Sequence, residues 1–237
     1  MPVYVYAITS ASHPLRLDDV HGVGDPPAAL YTVSGDSLRA VVSDVPDDLS
    51  VARRDLEAHH AVQERLRADG SALPVGFGFV AADDDAVRTV LRERAEEFSR
   101  VLEELSGRVE FNVKAVQNED GLLREALARS EQASRLNEAT RTGGGTYEDR
   151  LALGELLAQE VQARQEALAA EIVEALRPLV HSEQLSPPSQ QYFLNASFLV
   201  EDDKAEEFTR TAGKLAERYA EVAELRVRGP LPPYSFA

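Results

Sequence analysis

Two adjacent histidines, His59 and His60, come nearest to a chemical site in this sequence. Asp55 and Glu64 lie about one helical turn away on either side, so a metal ion or a general base is one interpretation of the cluster. Neighbouring helix positions, however, point about 100° apart, and the His-Glu-x-x-His spacing of a zinc site is absent. We therefore favour a packed or capping histidine over a metal ligand.

Glycine-rich and acidic runs give no stronger chemical signature. Neither Gly76-x-Gly78 nor the glycines at residues 143–145 match the pattern of a phosphate-binding loop, and no nucleophile elbow is present. The acidic run at residues 83–85 precedes a predicted helix, where carboxylates cap backbone amides, and it lacks the spacing of a calcium loop. The sequence predicts no catalytic residue, no cofactor and no metal site.

Composition and charge narrow the class of protein. The 237 residues suffice for one large or two small domains, and 43% hydrophobic residues are typical of a folded chain. A formal net charge of -16 repels phosphate backbones, so we expect no nucleic acid partner. The sequence has no cysteine, which excludes disulfides and thiolate chemistry. Because it shows no signal-peptide core and no bilayer-spanning apolar run, we expect a soluble cytoplasmic protein without a lipid bilayer partner.

The elements that would position the histidines begin with a strand. Residues 3–8 are β-branched or aromatic and carry no charge, which is typical of a central strand covered on both faces. A hairpin is expected across residues 30–45. A helix capped by Ser50 is expected to run to about Asp69. Its buried side is predicted to carry Leu56, Val62 and Leu66.

The stretch at residues 73–80 alternates two glycines with apolar side chains, which predicts a strand that another backbone or a partner approaches closely. The apolar members that this strand would present are Val75, Phe77 and Phe79. A helix capped by Asp83 or Asp84 should follow and continue to Gly107, because apolar residues recur along one stripe. We place a domain boundary at this glycine.

The second half of the sequence repeats the pattern of strands and helices. Alternation at residues 108–116, 192–200 and 222–228 predicts three strands with one buried face each. A capping box at residues 146–149 begins a predicted long helix. Residues 181–190 are polar and are expected to form a connection.

These elements predict an α+β protein of two small sheet-and-helix domains, residues 1–107 and 108–237. The second domain is expected to be a modified ferredoxin-like fold with one strand lost or donated from elsewhere. It would contain the long helix over residues 146–178 and an extended, Pro-rich C-terminal tail over residues 229–237, because prolines remove backbone donors and fix φ.

The tail carries a resemblance to a known family. Residues 229–236 are Gly-Pro-Leu-Pro-Pro-Tyr-Ser-Phe, which resembles the closing motif of the gas vesicle protein family GvpL/GvpF. Residues 73–78 resemble the family's Leu-Pro-Leu-Arg-Phe-Gly segment. Residues 110–114 and 195–200 resemble its Glu-x-x-Val-Lys and Asn-Ala-x-x-Leu-Val strands. The four matches occur in the family's order and are specific together.

Two positions depart from the family pattern: Leu231 stands where the family usually shows Trp, and Gly76 stands where it commonly has Arg. The resemblance implies an accessory or minor structural protein of gas vesicle formation that binds the small hydrophobic shell protein and assists its assembly. It implies no enzyme activity. The expected partners are the shell protein and other gas vesicle accessory proteins, and the expected location is the vesicle, on its gas-facing surface.

Partner binding is expected where apolar surface is presented, because a shell subunit with apolar faces and open strand edges would aggregate unless a helper covered them. The candidate residues are Pro230, Leu231, Pro232, Pro233, Tyr234, Phe236, Val75, Phe77 and Phe79. An open alternative is that the tail folds back on its own domain. The alternative function is a small-molecule enzyme or a regulatory ligand-binding module on a ferredoxin-like scaffold, using His59 or His60.

Overall fold

The computed structural model describes residues 1–46, 51–141 and 143–237, and these residues form both helices and strands. The strands are β1 (Val3–Ser10), β2 (Leu30–Ser34), β3 (Leu38–Asp44), β4 (Ala72–Pro74), β5 (Val80–Ala81), β6 (Arg108–Gln117), β7 (Ser182–Leu185), β8 (Leu194–Glu201) and β9 (Ala223–Leu231). The helices are α1 (Arg53–Asp69), α2 (Asp84–Glu93), α3 (Ala95–Leu105), α4 (Glu119–Arg129), α5 (Glu131–Arg141), α6 (Tyr147–Leu176) and α7 (Ala205–Tyr219). The predicted α+β class is confirmed.

The chain divides into two compact units. The first contains Met1–Glu110 together with the closing segment, Pro230–Ala237, and the second contains Phe111–Gly229. The division falls close to the boundary expected at Gly107, but the closing segment belongs to the first unit rather than to the second. All of the partner-binding residues predicted from the sequence therefore lie in the first unit.

The sheet of the first unit is organised around β1. Its strand order is β2-β3-β1-β4, and β5 also pairs with β1. β1 runs antiparallel to β3, β4 and β5, as expected of a central strand, and β2 with β3 forms the predicted hairpin. A β-bulge lies between Val5 and Ala7. The extra residue, Tyr6, shifts the alternation by one position, so that Ile8 lies on the same face as Val5.

Helix α1 covers one face of this sheet, and α2 with α3 covers the other. Ser50, the expected cap of α1, lies outside the described residues. Leu56, expected on the buried side of α1, is exposed. Val62 and Leu66 are buried as expected, and Asp55, His59 and Gln63 are buried beside them. The three polar side chains can be buried because each has a hydrogen-bond partner.

The strand predicted over residues 73–80 is wrong in its middle. β4 ends at Pro74 and β5 begins at Val80, and the five residues between them are not part of a strand. Gly78 has a φ of +87°, which an extended strand does not accommodate and which glycine adopts without steric cost.

The single helix predicted from Asp83 to Gly107 is two helices. Asp83 does cap α2, since its carboxylate accepts the Ala86 backbone N–H at 2.8 Å. Arg94, with φ of -109° and ψ of 21°, departs from helical geometry and separates α2 from α3.

The sheet of the second unit has the order β7-β8-β6-β9. β7 lies within residues 181–190, which the sequence predicted to be a connection, and it pairs antiparallel with β8. As a short edge strand with mostly polar side chains, β7 lacks the apolar alternation that marks a strand in sequence. The sheet therefore has four strands where the sequence predicted three, and the ferredoxin-like assignment stays a prediction.

The long helix α6 begins with the predicted capping box. The Thr146 hydroxyl accepts the Asp149 backbone N–H at 3.1 Å, and the Asp149 carboxylate accepts the Thr146 backbone N–H at 2.8 Å. The buried side chains of α6 all lie in its second half: Leu168, Ile172, Val173 and Leu176.

The closing segment differs from the extended tail that the sequence predicted. β9 continues past Gly229 and includes Pro230 and Leu231, which an edge strand tolerates because one side of its backbone needs no partner. A single 3₁₀ turn, Tyr234–Phe236, follows the strand. The chain therefore turns back at its aromatic residues.

Candidate functional site

An apolar cavity of about 370 Å³ lies in the first unit between the sheet and helices α2 and α3. We call it the groove. Its floor is formed by Val5 and Ile8 of β1 and Leu73 of β4, and its wall by Val87 and Leu91 of α2 with Phe98 of α3. Packed protein interiors rarely leave so large a space empty, so the groove can accept apolar groups from another molecule.

The mouth of the groove is also apolar. Phe79 is 56% exposed and Val90 is 43% exposed, and both belong to the lining. Arg94, the charged residue of the lining, donates two hydrogen bonds to Glu97, at 2.8 and 2.7 Å, and its guanidinium lies over the ring of Phe98. With this cation already paired, the groove presents hydrophobic contact rather than charge.

Residues 75–79, which we call the rim segment, form one edge of this mouth. The segment leaves β4 and returns at β5, and it stays attached to β1 at both ends. The Val75 N–H donates to the Tyr6 carbonyl at 2.9 Å, and the Val5 N–H donates to the Phe79 carbonyl at 3.1 Å. Val75 and Phe79 line the groove, whereas Phe77 packs on the opposite side in the cluster of Tyr4 and Tyr6.

Gly76 of the rim segment stands where the resemblance places an Arg. A Cβ added there would meet no atom within 4 Å, so the backbone has room for a side chain at this position. The glycine is therefore not required by packing, and its effect is to leave the outer side of the rim segment without a side chain.

His59 lies beneath the rim segment and is almost completely buried. Burial lowers the pKa of its imidazole from 6.5 to about 4, so the ring is neutral at pH 7. Burial also raises the pKa of Tyr4, whose hydroxyl is hydrogen-bonded to His59 Nδ1 at 2.9 Å and accepts the Gly78 N–H at 3.0 Å. A backbone hydrogen bond with Val75 acts on the pKa of the imidazole in the direction opposite to burial. One buried imidazole thus holds the rim segment at two points.

The histidine pair does not converge in a cleft. His60 is exposed, while His59 is enclosed by aromatic rings. The buried carboxylate of Asp55 accepts the Gly24 backbone N–H at 2.9 Å and lies beside Arg54. Within the described ranges, no group of three or more His, Asp or Glu side chains is placed to hold a metal ion.

The closing segment lies against the same buried cluster. Pro232 and Pro233 are buried, Leu231 and Phe236 are partly buried, and Pro230 is exposed. Tyr234 is 37% exposed, and its ring stacks on His59 with 6.5 Å between centroids and 23° between planes. Partial removal of its hydroxyl from water raises the pKa of Tyr234 to about 12.

Ala237 lines the groove together with Val75 and Phe79. Of the partner-binding residues predicted from the sequence, Val75 and Phe79 line the groove, whereas Ala237 was not among those predicted. The other predicted residues lie outside the lining: Phe77, Pro230, Leu231, Pro232, Pro233, Tyr234 and Phe236.

Sequence reasoning missed two parts of this site. The wall residues Val87 and Val90 were assigned to a helix stripe, and periodicity does not show that the stripe is incompletely covered. The alternation of residues 108–116 places Val109 and Phe111 on the buried face and so predicts that Glu110 faces outward, yet Glu110 is 4% exposed and accepts hydrogen bonds from Ser235. A carboxylate in the middle of an apolar alternating strand is the signal that could have identified it.

None of the helices in the described ranges combines the length and the apolar character needed to span a bilayer.

Comparison with known proteins gives a consistent result over the whole chain. The family model described as gas vesicle synthesis protein GvpL/GvpF matches residues 2–237. Gas vesicle protein F of Streptomyces sp. (strain CB03234) is 44% identical over 237 residues, which cover 100% of this chain and 99% of that protein. Gas vesicle protein L of the same strain is 31% identical, covering 99% of this chain and 92% of that protein.

The fold is also similar to a solved structure. The crystal structure of the gas vesicle protein GvpF from Anabaena sp. PCC7120 matches with a TM-score of 0.82 and 21% sequence identity. The match covers 100% of this chain and 98% of that chain. At this level of identity, the comparison supports the fold.

Proposed function

The chain belongs to the gas vesicle synthesis protein GvpL/GvpF family and so has a role in gas vesicle formation, and from this premise we propose that it binds the small hydrophobic shell protein and assists its assembly. The groove would be the docking site. Binding to other gas vesicle accessory proteins is part of the same proposal, on other surfaces of the chain.

The observation that carries the proposal is the apolar groove of about 370 Å³ with Phe79 and Val90 exposed at its mouth. A shell subunit that forms a water-repelling wall must present apolar surface before it is assembled, and such surface aggregates unless it is covered. A lining of aliphatic and aromatic side chains would cover it. The net charge of -16 would keep the complex soluble.

The rim segment and the closing segment have different parts in this proposal. Val75, Phe79 and Ala237 would contact the shell protein directly, because they line the groove. Phe77, Tyr234 and the buried prolines would act from behind the groove by holding these residues in place.

The place of the chain on the vesicle follows from the same reasoning. The face of a shell that excludes water is its apolar face, and gas rather than water lies against that face in a finished vesicle. A chain that remains bound to this face would sit on the gas-facing surface.

We expect protease to leave the chain intact on intact vesicles and to degrade it after the vesicles are collapsed by pressure. Equal digestion in both samples would refute this location.

The binding proposal is tested by co-expressing the shell protein with this chain and measuring how much shell protein is captured from the soluble fraction. Phe79→Asp and Val90→Asp place a charge at the mouth of the groove, where each side chain is exposed enough for the fold to tolerate the change. Each variant loses an apolar side chain that the shell protein would cover, and it must remove a carboxylate from water when the shell protein binds. Capture of the shell protein should therefore weaken by about tenfold or more. Leu151→Asp is the matched control, since Leu151 is 53% exposed on α6 of the second unit.

The possible results test two claims separately: that the chain binds the shell protein, and that the groove is where it binds. Loss of capture in the two groove variants but not in Leu151→Asp supports the proposal. Equal capture by all variants would move the docking site away from the groove. Absence of capture by the folded, unsubstituted chain would refute shell protein binding itself.

A further inference from the structure

Beyond the end of β9, a buried carboxylate binds the closing segment to the rest of the first unit. Glu110 Oε2 accepts the Ser235 backbone N–H at 2.8 Å, and Glu110 Oε1 accepts the Ser235 hydroxyl at 2.6 Å. Glu110 is 4% exposed, and a carboxylate removed from water needs such donors. Hydrogen bonds to a buried carboxylate are among the stronger ones in proteins, so this contact should contribute to holding the segment in place.

The residue before Ser235 connects this attachment to the groove. Tyr234 stacks on His59. His59 contacts the rim segment through a backbone hydrogen bond with Val75 and through the Tyr4 hydroxyl, which accepts the Gly78 N–H. Ala237, two residues after Ser235, lines the groove itself. The contacts therefore form a continuous path from Glu110 to both the edge and the lining of the groove.

We propose that Glu110 and Ser235 are positioning residues of the groove: their two hydrogen bonds dock the closing segment, and the docked segment fixes the rim segment in the binding geometry. This proposal rests on the proposed function in one respect, namely that the groove is the site where the shell protein docks. With the Glu110 attachment removed, Tyr234 leaves His59 and the rim segment opens more often, although the rest of the first unit stays folded.

The first test measures the rim segment without any partner. Hydrogen exchange of the Gly78 amide, followed by NMR, reports opening of the rim segment, because this N–H is bound to Tyr4. Ser235→Ala removes one donor to Glu110, and exchange at Gly78 should accelerate by about tenfold. Ser71→Ala is the matched control, since the Ser71 hydroxyl also makes a 2.6 Å hydrogen bond, to the Leu102 carbonyl, in the same unit.

A conservative substitution distinguishes positioning from general stability. In Glu110→Gln the amide oxygen still accepts the Ser235 N–H, and the amide nitrogen donates to the Ser235 hydroxyl, so slow exchange at Gly78 should be retained. Glu110→Ala removes both contacts and should accelerate exchange at least as much as Ser235→Ala. Should Glu110→Ala fail to fold, the Ser235→Ala and Glu110→Gln pair still decides the question.

A fluorescent reporter gives an independent reading of the same movement. The sequence contains no tryptophan, so Phe79→Trp places a single indole at the mouth of the groove. In this background Ser235→Ala should make the indole more accessible to acrylamide, while Ser71→Ala should not.

The proposal is overturned if Ser235→Ala changes neither Gly78 exchange nor indole quenching more than Ser71→Ala does. Capture of the shell protein is measured separately, and Ser235→Ala should weaken it while Glu110→Gln preserves it. An opened rim segment with unchanged capture would keep the positioning role and refute the groove as the docking site. The two proposals can therefore fail independently.

Discussion

Acidification should destabilise the first unit through His59, and this prediction can be worked out from the structure. The pKa of the folded-state imidazole is lowered from 6.5 to about 4 because burial disfavours the charged ring. Tyr4, Tyr6 and Tyr234, the ionisable rings that contact it, have raised pKa values and stay neutral in acid. The imidazole is therefore the group of this cluster that titrates between pH 4 and pH 6.5.

The sign and size of the effect follow from proton linkage. Below pH 6.5 the unfolded chain binds a proton at this position that the folded chain does not, so the free energy of unfolding falls as the pH falls toward 4. The full effect is about 3 kcal/mol, because one pKa unit corresponds to about 1.4 kcal/mol. Between about pH 7.5 and pH 5, about 2 kcal/mol of this stability should be lost.

The assay compares denaturant unfolding of the unsubstituted chain with that of His59→Gln at these two pH values. His59→Gln removes the titration, so its free energy of unfolding should depend less on pH by about 2 kcal/mol, after carboxylates common to both chains cancel. His60→Gln is the control, since it removes an exposed imidazole at the next position. Equal pH dependence in the unsubstituted chain and in His59→Gln would refute the reasoning.

Four further substitutions test the packing of the chain. Thr146→Ala removes the capping box of α6 and should lower the free energy of unfolding by about 1 kcal/mol in denaturant titrations; no change would mean that the helix start is not part of the cooperative fold. Gly121→Ala would place a Cβ 1.8 Å from the Glu221 carbonyl oxygen and should lower the melting temperature by many degrees. Gly154 lies inside α6, and a Cβ added there would meet nothing within 4 Å. Gly154→Ala should therefore raise the free energy of unfolding by about 0.5–1 kcal/mol. Loss of stability in both glycine variants would contradict the difference in packing between the two positions. Tyr4→Phe leaves the Gly78 N–H and His59 Nδ1 without their shared partner and should cost about 1–3 kcal/mol; an unchanged unfolding midpoint would show that the hydroxyl bridge contributes nothing.

Much of the fold follows from periodicity along the chain. The uncharged run at residues 3–8, the hairpin that follows it and the cap at Asp83 are all present, because hydrophobic alternation and capping act over a few neighbouring residues. The sequence predictions fail where contacts between distant segments determine the structure. β7 lacks an apolar pattern because it lies at an edge, and α1 buries Asp55 and His59 because other segments supply their hydrogen-bond partners.

Part of the candidate site could likewise be predicted from the sequence, and part of it could not. Val75, Phe79 and the closing segment could be selected from the sequence, because apolar and proline-rich stretches stand out in a chain that is 28% charged. The sequence could not show that Phe77 points away from Val75 and Phe79, because the positive φ of Gly78 breaks the strand alternation on which that inference depended.

The sequence by itself determined the family, the α+β class and the absence of cysteine chemistry, since these depend on composition, motifs and local patterns. Only the tertiary structure decided that Glu110 meets Ser235 and that His59 meets Tyr234. Glu110 and Ser235 lie 125 positions apart in the sequence. Contacts over such separations depend on how sheets and helices pack, and no pattern within a few residues records that packing.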